Sequence, residues 1–274
     1  MRPSHETRVD GKQMAISALE YFLLAELAGA GVLPPSPAVL ELGESNWYGD
    51  VPLERLAADI RAGGLTDAEK ETLLARLDRA VRRNDDRRLF DIAKISLSLF
   101  TGYRSLDSID LQGASSLRFD LNQPVPLDRQ FDLVLDFGTA EHVFNVYQLF
   151  KTVHDLTRPG GVMIHGTPFT GWIDHGFYSF QPTFYWDLAA ANGYAMKGML
   201  YGQLQPFKLK SMNRREDVPA MLKADEFGAN GMIFAVLQKG ADETRFQAPM
   251  QGYYAGTLSD DLTVAWQAEL RYEG

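Results

Sequence analysis

The stretch FDLVLDFGTAEHVFN, residues 131–145, decides the fold. Residues 131–137 are apolar apart from two aspartates, a pattern typical of a strand that is buried on both faces of a parallel sheet. Gly138 ends this strand. From Asn145 onward the apolar residues recur with helical spacing, so a helix is expected there. A strand, a polar turn and a helix in this order predict one half of a βαβ unit.

The turn after this strand is the first candidate site. Ligands of open α/β sheets bind beyond the carboxyl ends of the strands. Asp136, Thr139, Glu141 and His142 all fall at or just after such an end. We therefore expect functional side chains in this turn.

The composition excludes several classes of function. The 274 residues carry a net charge of −9, and the densest basic cluster, residues 79–88, is interrupted by Asp85 and Asp86. Binding of nucleic acid is therefore not expected, because such affinity comes largely from neutralised phosphates. The chain has no cysteine, which excludes disulfides, thiolate metal ligands and a cysteine nucleophile.

The sequence predicts neither a secretory signal peptide nor a membrane-spanning segment. The first residues, MRPSHETRVDGKQ, are polar and lack the apolar centre of a signal peptide. No apolar run approaches the roughly 20 residues that span a bilayer. The sequence thus predicts a cytoplasmic protein that does not bind membranes.

Three further segments complete the predicted organisation of a single domain, 1–274. An N-terminal helical segment occupies 1–36, with a helix at 13–30. Residues 51–102 read as a helical insertion of three helices, the second of which starts at a capping box, Thr66-Asp67-Ala68-Glu69. The insertion is either a cap over a substrate pocket or inert bulk. A tail, 240–274, is ordered by packing or by a partner chain, which leaves a homo-oligomer open.

Short apolar runs predict the remaining strands. They fall at 38–43, 105–110, 117–121, 162–169, 194–201 and 232–238, and a helix is expected at 183–192. Residues 202–229 are polar and predict a long connection. With the strand at 131–137 this makes an α/β Rossmann-like fold, a largely parallel seven-stranded sheet with helices on both faces.

These pieces, taken in order, resemble class I S-adenosylmethionine-dependent methyltransferases. The resemblance rests on VLELG, SID, RFDLN, FDLVLDFGTAEHVFN, and a helix closing on RPGG before VMIHGTPF. More narrowly, SIDLQGASSLRFDLNQPVP, DFGTAEHVFN and DHGFYSFQPTFY are similar to a bacterial subgroup of methyltransferase-like proteins with no settled substrate. Members of that subgroup often accompany glycan or secondary-metabolite pathways. The match covers roughly half of the chain.

The resemblance implies S-adenosylmethionine as cofactor and places its contacts residue by residue. Glu41 and Gly43 match the first motif, and the acid at the end of the second strand matches the ribose ligand. The implied cofactor residues are Glu41, Gly43, Glu44, Asn46, Asp110, Leu111, Asp120, Leu121, Asp136 and Gly138. The family's later glycines are replaced here by Glu44, Ser45 and Asn46, whose side chains either supply polar contacts or block the pocket.

Histidines are the candidate bases for a hydroxyl acceptor, because the unperturbed pKa of histidine suits neutral pH. His142 is the first candidate, with a structural histidine as the alternative, and His175 is the second. Glu141, Tyr178 and Gln181 are candidate substrate contacts. His165 falls inside a predicted strand and is expected in the core. A metal at Glu141 and His142 needs an irregular turn, because adjacent helical residues do not share a face; no metal site is predicted.

The resulting functional prediction is methyl transfer to an oxygen or nitrogen of a small molecule or glycan intermediate. The alternative is a non-catalytic binding or scaffold protein with the same fold, which the altered turn after Gly43 favours. A Rossmann dehydrogenase is disfavoured, because no G-x-G-x-x-G follows a strand.

Overall fold

A computed structural model describes residues 15–85, 87–111 and 115–269. In chain order its elements are β1 (Ala15–Ile16), α1 (Ala18–Gly29), β2 (Ala38–Leu42), β3 (Asn46–Trp47), α2 (Leu53–Ala62), α3 (Asp67–Arg82), α4 (Arg87–Thr101), β4 (Ser105–Ile109), β5 (Phe131–Phe137), a 3₁₀ turn (Ala140–His142), α5 (Val146–Leu156), β6 (Thr157–Thr170), α6 (Pro182–Asn192), β7 (Ala195–Gln203), β8 (Lys208–Ser211), α7 (Asp217–Lys223), β9 (Gly231–Gln238), α8 (Gly252–Ala255) and α9 (Asp260–Glu269).

The main sheet is mixed, so the prediction of a largely parallel sheet is wrong. Its seven strands lie in the order β4-β2-β5-β6-β9-β7-β8. The β4, β2, β5 and β6 strands pair in parallel, whereas β9 pairs antiparallel with both β6 and β7, and β8 pairs antiparallel with β7. The short connection after β7 forms a hairpin that reverses the chain into β8, and β9 then returns between β6 and β7 in the direction opposite to both.

The predicted third strand, 117–121, is also wrong. Within this segment Leu117 makes a single parallel bridge to Ile109 and no ladder follows. The segment ends instead in a loop tied to the start of α5, where the amide of Asn145 donates to Oδ1 of Asn122 at 2.9 Å. The seventh strand is β8, which lies inside the predicted connection 202–229.

The sheet is buried between two helical layers. Successive residues of a strand point to opposite faces, so Leu133 and Leu135 pack with α1 and α4, while Val134 packs with α5 and α6. All seven residues of β5 are buried. This strand contributes side chains to both cores, as its apolar run predicts.

Three helices, α2, α3 and α4, lie within residues 51–102 and thicken one layer. The side chain of Thr66 accepts the amide of Glu69 and the Glu69 carboxylate accepts the amide of Thr66, which completes the predicted capping box. Leu73 and Leu77 of α3 belong to the same core cluster as α1 and α4. The α4 helix is the crossover that leads from the insertion into β4.

The tail packs on its own chain. The amide of Gly252 donates to Oδ2 of Asp187 at 2.9 Å, and the amide of Gln247 donates to Oδ1 of Asn192 at 2.8 Å. Both acceptors belong to α6, so packing within the chain orders this part of the tail. Among the described helices, none has the length and apolar character that crossing a bilayer requires.

Candidate functional site

Two strand ends and one turn meet at a single edge of the sheet. Leu42, the last residue of β2, is in register with Ile109 of β4 and with Asp136 of β5. Gly43 follows with a φ of 79°, a conformation that glycine adopts without strain. Its amide donates to the carbonyl of Ile109 at 2.7 Å, so the turn after β2 begins against the end of β4.

Asp110 closes this edge. Its Oδ2 accepts a long hydrogen bond, 3.4 Å, from the backbone amide of Glu44. Its own amide donates to the carbonyl of Leu117 at 3.1 Å. The acid after β4 and the turn after β2 are therefore neighbours.

Glu41 is a buried carboxyl at the same edge. The residue is 1% exposed, and neither carboxylate oxygen has a hydrogen-bond partner at bonding geometry. Burial raises the pKa of Glu41 to about 7, although the nearby Ser45 hydroxyl and the charge of Lys94 favour the ionised form. Such a group can accept a positively charged or hydrogen-donating ligand.

Glu44 is held by the crossover helix. Arg87 donates to its two oxygens at 2.8 and 2.6 Å, and Lys94 also pairs with it. Burial opposes ionisation, but hydrogen bonds from Arg87 and Lys94 outweigh it and lower the pKa of Glu44. Its side chain is thus directed to α4. Two residues further on, Asn46 is buried, and its strand β3 pairs with β1.

Asp136 supports the site from within. Its Oδ1 accepts the amides of Thr139 at 3.1 Å and Ala140 at 3.2 Å, and its Oδ2 pairs with Nδ1 of His165 at 2.8 Å. The side chain is fully buried. Thr139 in turn donates from Oγ1 to the carbonyl of Leu42. Asp136 therefore shapes the turn that begins at Gly138, where φ is 92°.

Asp120, Leu121 and Leu111, three further implied cofactor residues, share no side-chain hydrogen bond with this network within the described part of the chain. Asp120 is exposed, and its Oδ1 accepts both the amide and the side-chain nitrogen of Asn122. Those bonds lower the pKa of Asp120. Leu121 is buried in the core that faces α5, whereas Leu111 is largely exposed.

A second cluster joins Glu141, His142 and His175. Oε1 of Glu141 lies 3.9 Å from Nε2 of His142 and 3.7 Å from Nε2 of His175. The three ligand atoms lie within 4.8 Å of one another. Residues 140–142 form a 3₁₀ turn, which is the irregular geometry that lets two adjacent side chains converge. The geometric objection to a metal at this position is therefore removed.

Electrostatics in this cluster follow from burial. Desolvation raises the pKa of Glu141, with His175 opposing the shift and the charge of Asp136 adding to it. Desolvation and the neighbouring His175 lower the pKa of His142. His142 and His175 are both partly exposed, so solvent reaches the cluster from the histidine side.

A short segment brings His175 to this place. The amide of Phe177 donates to the carbonyl of Glu141 at 2.7 Å, and the indole nitrogen of Trp172 donates to the carbonyl of Gly231 at 3.0 Å. Gly176 lies so close that a Cβ there would be 2.9 Å from the Glu141 carbonyl oxygen. Glycine is therefore required for this close approach.

An adjacent cleft of about 390 Å³ is lined by Tyr178 and Gln181 among others. The hydroxyl of Tyr178 donates to the carbonyl of Phe144 at 2.8 Å. Phe144, Ile173 and Phe177 are large apolar side chains that remain exposed near the histidines. Most residues that line the cleft follow the cluster along the chain, and the three side chains of the cluster are not among them.

Sequence reasoning missed three structural partners. Arg87 and Lys94 lie seven residues apart on one helix. This spacing predicts that they share a helix face, but it does not predict that both form ion pairs with Glu44. The pairing of His165 with Asp136 was missed as well, although the expected core position of His165 is confirmed at 1% exposure.

Some of the solved structures that are similar to this chain are methyltransferases. No family model and no curated protein matches the chain. The N-methyltransferase NodS from Bradyrhizobium japonicum WM9 is 12% identical, with 81% of this chain and 94% of that chain covered at a TM-score of 0.43. An S-adenosylmethionine-dependent methyltransferase from Mesorhizobium loti is 17% identical. The similarity covers 81% of this chain and 99% of that chain at a TM-score of 0.38.

A third similar structure contains ligands. It is the Burkholderia thailandensis 1,6-didemethyltoxoflavin-N1-methyltransferase with bound 1,6-didemethyltoxoflavin and S-adenosylhomocysteine. It is 16% identical, with 79% of this chain and 76% of that chain covered at a TM-score of 0.33.

Proposed function

We propose that this chain transfers a methyl group from S-adenosylmethionine to an oxygen or nitrogen of a small molecule or glycan intermediate. The observation that carries the proposal is the meeting of Asp110 with the turn after Gly43. A carboxylate at this place can accept hydrogen bonds from both hydroxyls of a ribose. The turn beside it lets a ligand approach the backbone without a side chain at Gly43.

Glu41 fits the charge of this cofactor. S-adenosylmethionine carries an ammonium and a sulfonium, and Glu41 is a buried carboxyl whose oxygens lack hydrogen-bond partners. A cationic ligand would favour the ionised form of Glu41 and compensate its burial. Glu44, Asn46, Leu111, Asp120, Leu121, Asp136 and Gly138 are the further residues proposed around the cofactor.

The acceptor is proposed to bind at Glu141, His142 and His175. When bound, the cofactor supplies a methyl group on a positively charged sulfur, which keeps the electron pair of the broken bond. The protein aligns the acceptor and excludes water. His142, or His175 as second candidate, accepts the acceptor's proton at an imidazole nitrogen. Tyr178 and Gln181 contact the rest of the acceptor in the adjacent cleft.

One observation favours the second candidate function, a non-catalytic binding protein. Glu44 occupies a position where related motifs carry small residues, and Arg87 and Lys94 hold it there. A rigid charged side chain beside Gly43 narrows the space for a nucleoside. In that case the site would bind a smaller ligand and no methyl transfer would follow.

Thermal unfolding with and without ligand tests the proposal. S-adenosylmethionine or S-adenosylhomocysteine at about 100 times its dissociation constant adds roughly 2.7 kcal/mol of stability. For a protein of this size the melting temperature should rise by roughly 5–10 °C. Adenosine alone and methionine alone are the matched control ligands. Absence of a shift with either cofactor form at millimolar concentration would reject the proposal, and a shift without turnover would favour the binding protein.

A further inference from the structure

We propose that Glu141, His142 and His175 form a binding site for a divalent first-row transition-metal ion of the Zn²⁺ class. Two imidazoles and one carboxylate are a donor set that proteins use for such ions, with positions left open for water or substrate. The inference concerns metal binding alone, and it stands without the proposed methyl transfer.

The distances suit one ion between the three side chains. Ligand atoms that lie about 2.1 Å from one tetrahedral ion are about 3.4 Å apart. Glu141 Oε1 lies 3.9 Å from His142 Nε2 and 3.7 Å from His175 Nε2. Small rotations of the two partly exposed imidazoles would bring these atoms to bonding distance.

The carboxylate of Glu141 is a buried group that a cation would stabilise. The side chain of Glu141 is 2% exposed, and its Oε2 has no hydrogen-bond partner. An unpaired buried carboxylate is costly, and a cation between it and the two histidines would satisfy it. The exposed sides of His142 and His175 leave a path from solvent to this position.

The backbone holds the donors in place. Glu141 and His142 lie on one 3₁₀ turn, which the carboxylate of Asp136 fixes through the amides of Thr139 and Ala140. His175 is held over Glu141 by the hydrogen bond from the Phe177 amide. Two chain segments more than thirty residues apart are thus fixed against each other, which is the preorganisation that a metal site requires.

An ion here would alter the chemistry of the site. Where the proposed function holds, the open positions of the ion can take an oxygen of the acceptor and lower the pKa of its hydroxyl. A histidine nitrogen that binds the ion cannot also accept a proton. The ion would then replace His142 as the agent of deprotonation.

Direct metal binding tests the inference without cofactor or acceptor. Tag-free protein is stripped with a chelator and titrated with Co²⁺, followed by its visible absorption, and with Zn²⁺ by calorimetry. We expect one equivalent of each ion to bind. His142→Ala, His175→Ala and Glu141→Gln should each weaken binding at least about 100-fold, because even outer partners of a ligand contribute 10–100-fold. His5→Ala, outside the described residues, is the matched control and should bind like wild type.

The titrations distinguish a metal site from its absence. Stoichiometric binding that all three substitutions weaken, with unchanged melting temperature of the metal-free His142→Ala protein, supports the site. The proposed site would be overturned by the absence of saturable metal binding, or by binding that the three substitutions leave intact. Displacement of Co²⁺ by excess Mg²⁺ would also overturn it, since Mg²⁺ prefers oxygen ligands. His142 is half exposed, so this variant keeps the test valid where Glu141→Gln fails to fold. Failure here leaves the result of the cofactor thermal shift unaffected.

Discussion

The carboxylate of Asp110 accepts the backbone amide of Glu44 at 3.4 Å, across 66 residues of sequence. This contact joins the end of β4 to the turn after β2. Because β2, β4 and β5 are parallel neighbours, their carboxyl ends meet at one edge. The proposed cofactor site is therefore a consequence of strand order, and the residues in it can be tested one by one.

Asp110→Ala should remove most of the affinity for S-adenosylhomocysteine. Each hydrogen bond between a ribose hydroxyl and a charged group contributes about 1.5–3 kcal/mol, so the loss should be about 10–100-fold or more. Calorimetric titration measures it. Asp78→Ala removes an exposed acid of α3 and is the matched control. Equal affinities of the two variants would contradict a role of Asp110 in binding the cofactor.

Glu41 should make stability depend on pH. Its folded pKa, about 7, lies above the ordinary 4.5, so the folded state holds a proton that the unfolded chain has released. Stability should fall as pH rises from about 4.5 to about 7 and then level off, by on the order of 3 kcal/mol.

Glu41→Gln isolates this effect, because glutamine has the same shape and does not titrate. Denaturant unfolding of both proteins at pH 5 and pH 8 gives the comparison. The variant should gain stability relative to wild type between these two values. A difference between the proteins that is the same at both pH values would show that Glu41 keeps an ordinary pKa.

Glu44→Gln should destabilise the protein by about 2 kcal/mol. Glutamine carries no negative charge and has a single acceptor oxygen, so it cannot keep the two-oxygen ion pair with Arg87 and the pair with Lys94, and such pairs contribute more when one partner is buried. The melting temperature should fall by roughly 4–8 °C.

Arg82→Ala is the control for the ion pair of Glu44. It breaks the ion pair with Asp78, in which both side chains are largely exposed, and should change stability by less than about 1 kcal/mol. Equal effects of the two substitutions would mean that the Glu44 pair behaves like a surface pair.

Gly176→Ala should displace His175 from Glu141. The added Cβ would lie 2.9 Å from the Glu141 carbonyl oxygen and 3.0 Å from its Cγ. The segment has to move, at a cost of about 1–3 kcal/mol. Co²⁺ affinity should fall with it, and thermal unfolding measures the stability.

Gly64→Ala is the matched control for the close approach at Gly176. No heavy atom lies within 4 Å of a Cβ at this position. Stability and Co²⁺ binding should both stay at the wild-type level. A Gly176→Ala protein that also matches wild type would show that the segment tolerates the displacement.

The predictions of helix ends and of the buried strand β5 are correct, because each depends on residues within one short segment. Asn145 accepts the amide of Gln148 and begins α5, and Gly193 ends α6 in a left-handed conformation, as their sequence positions predict. The apolar run of β5 predicts a strand buried on both faces. Capping, glycine conformation and apolar periodicity act within a few residues, so the sequence carries them directly.

The pairing of strands that are distant in the sequence could not be predicted from local patterns. The segment 117–121 has an apolar pattern, yet the loop contact of Asn122 with Asn145 prevails over a strand ladder. The β8 strand forms from a polar segment because it folds back on β7. Which strands pair depends on the directions in which distant segments return to the sheet.

The sequence alone thus determined the αβ layers, the central strand, the helical insertion and the acids that end β2 and β4. Only the tertiary structure decided that the sheet is mixed, that Asp136 pairs with His165, that Glu44 pairs with Arg87, and that His175 meets Glu141. The physical reason is the sequence separation over which each interaction acts. Helix caps and strand periodicity depend on neighbours along the chain, whereas ion pairs and converging donors depend on which distant segments the closed core brings to the same edge.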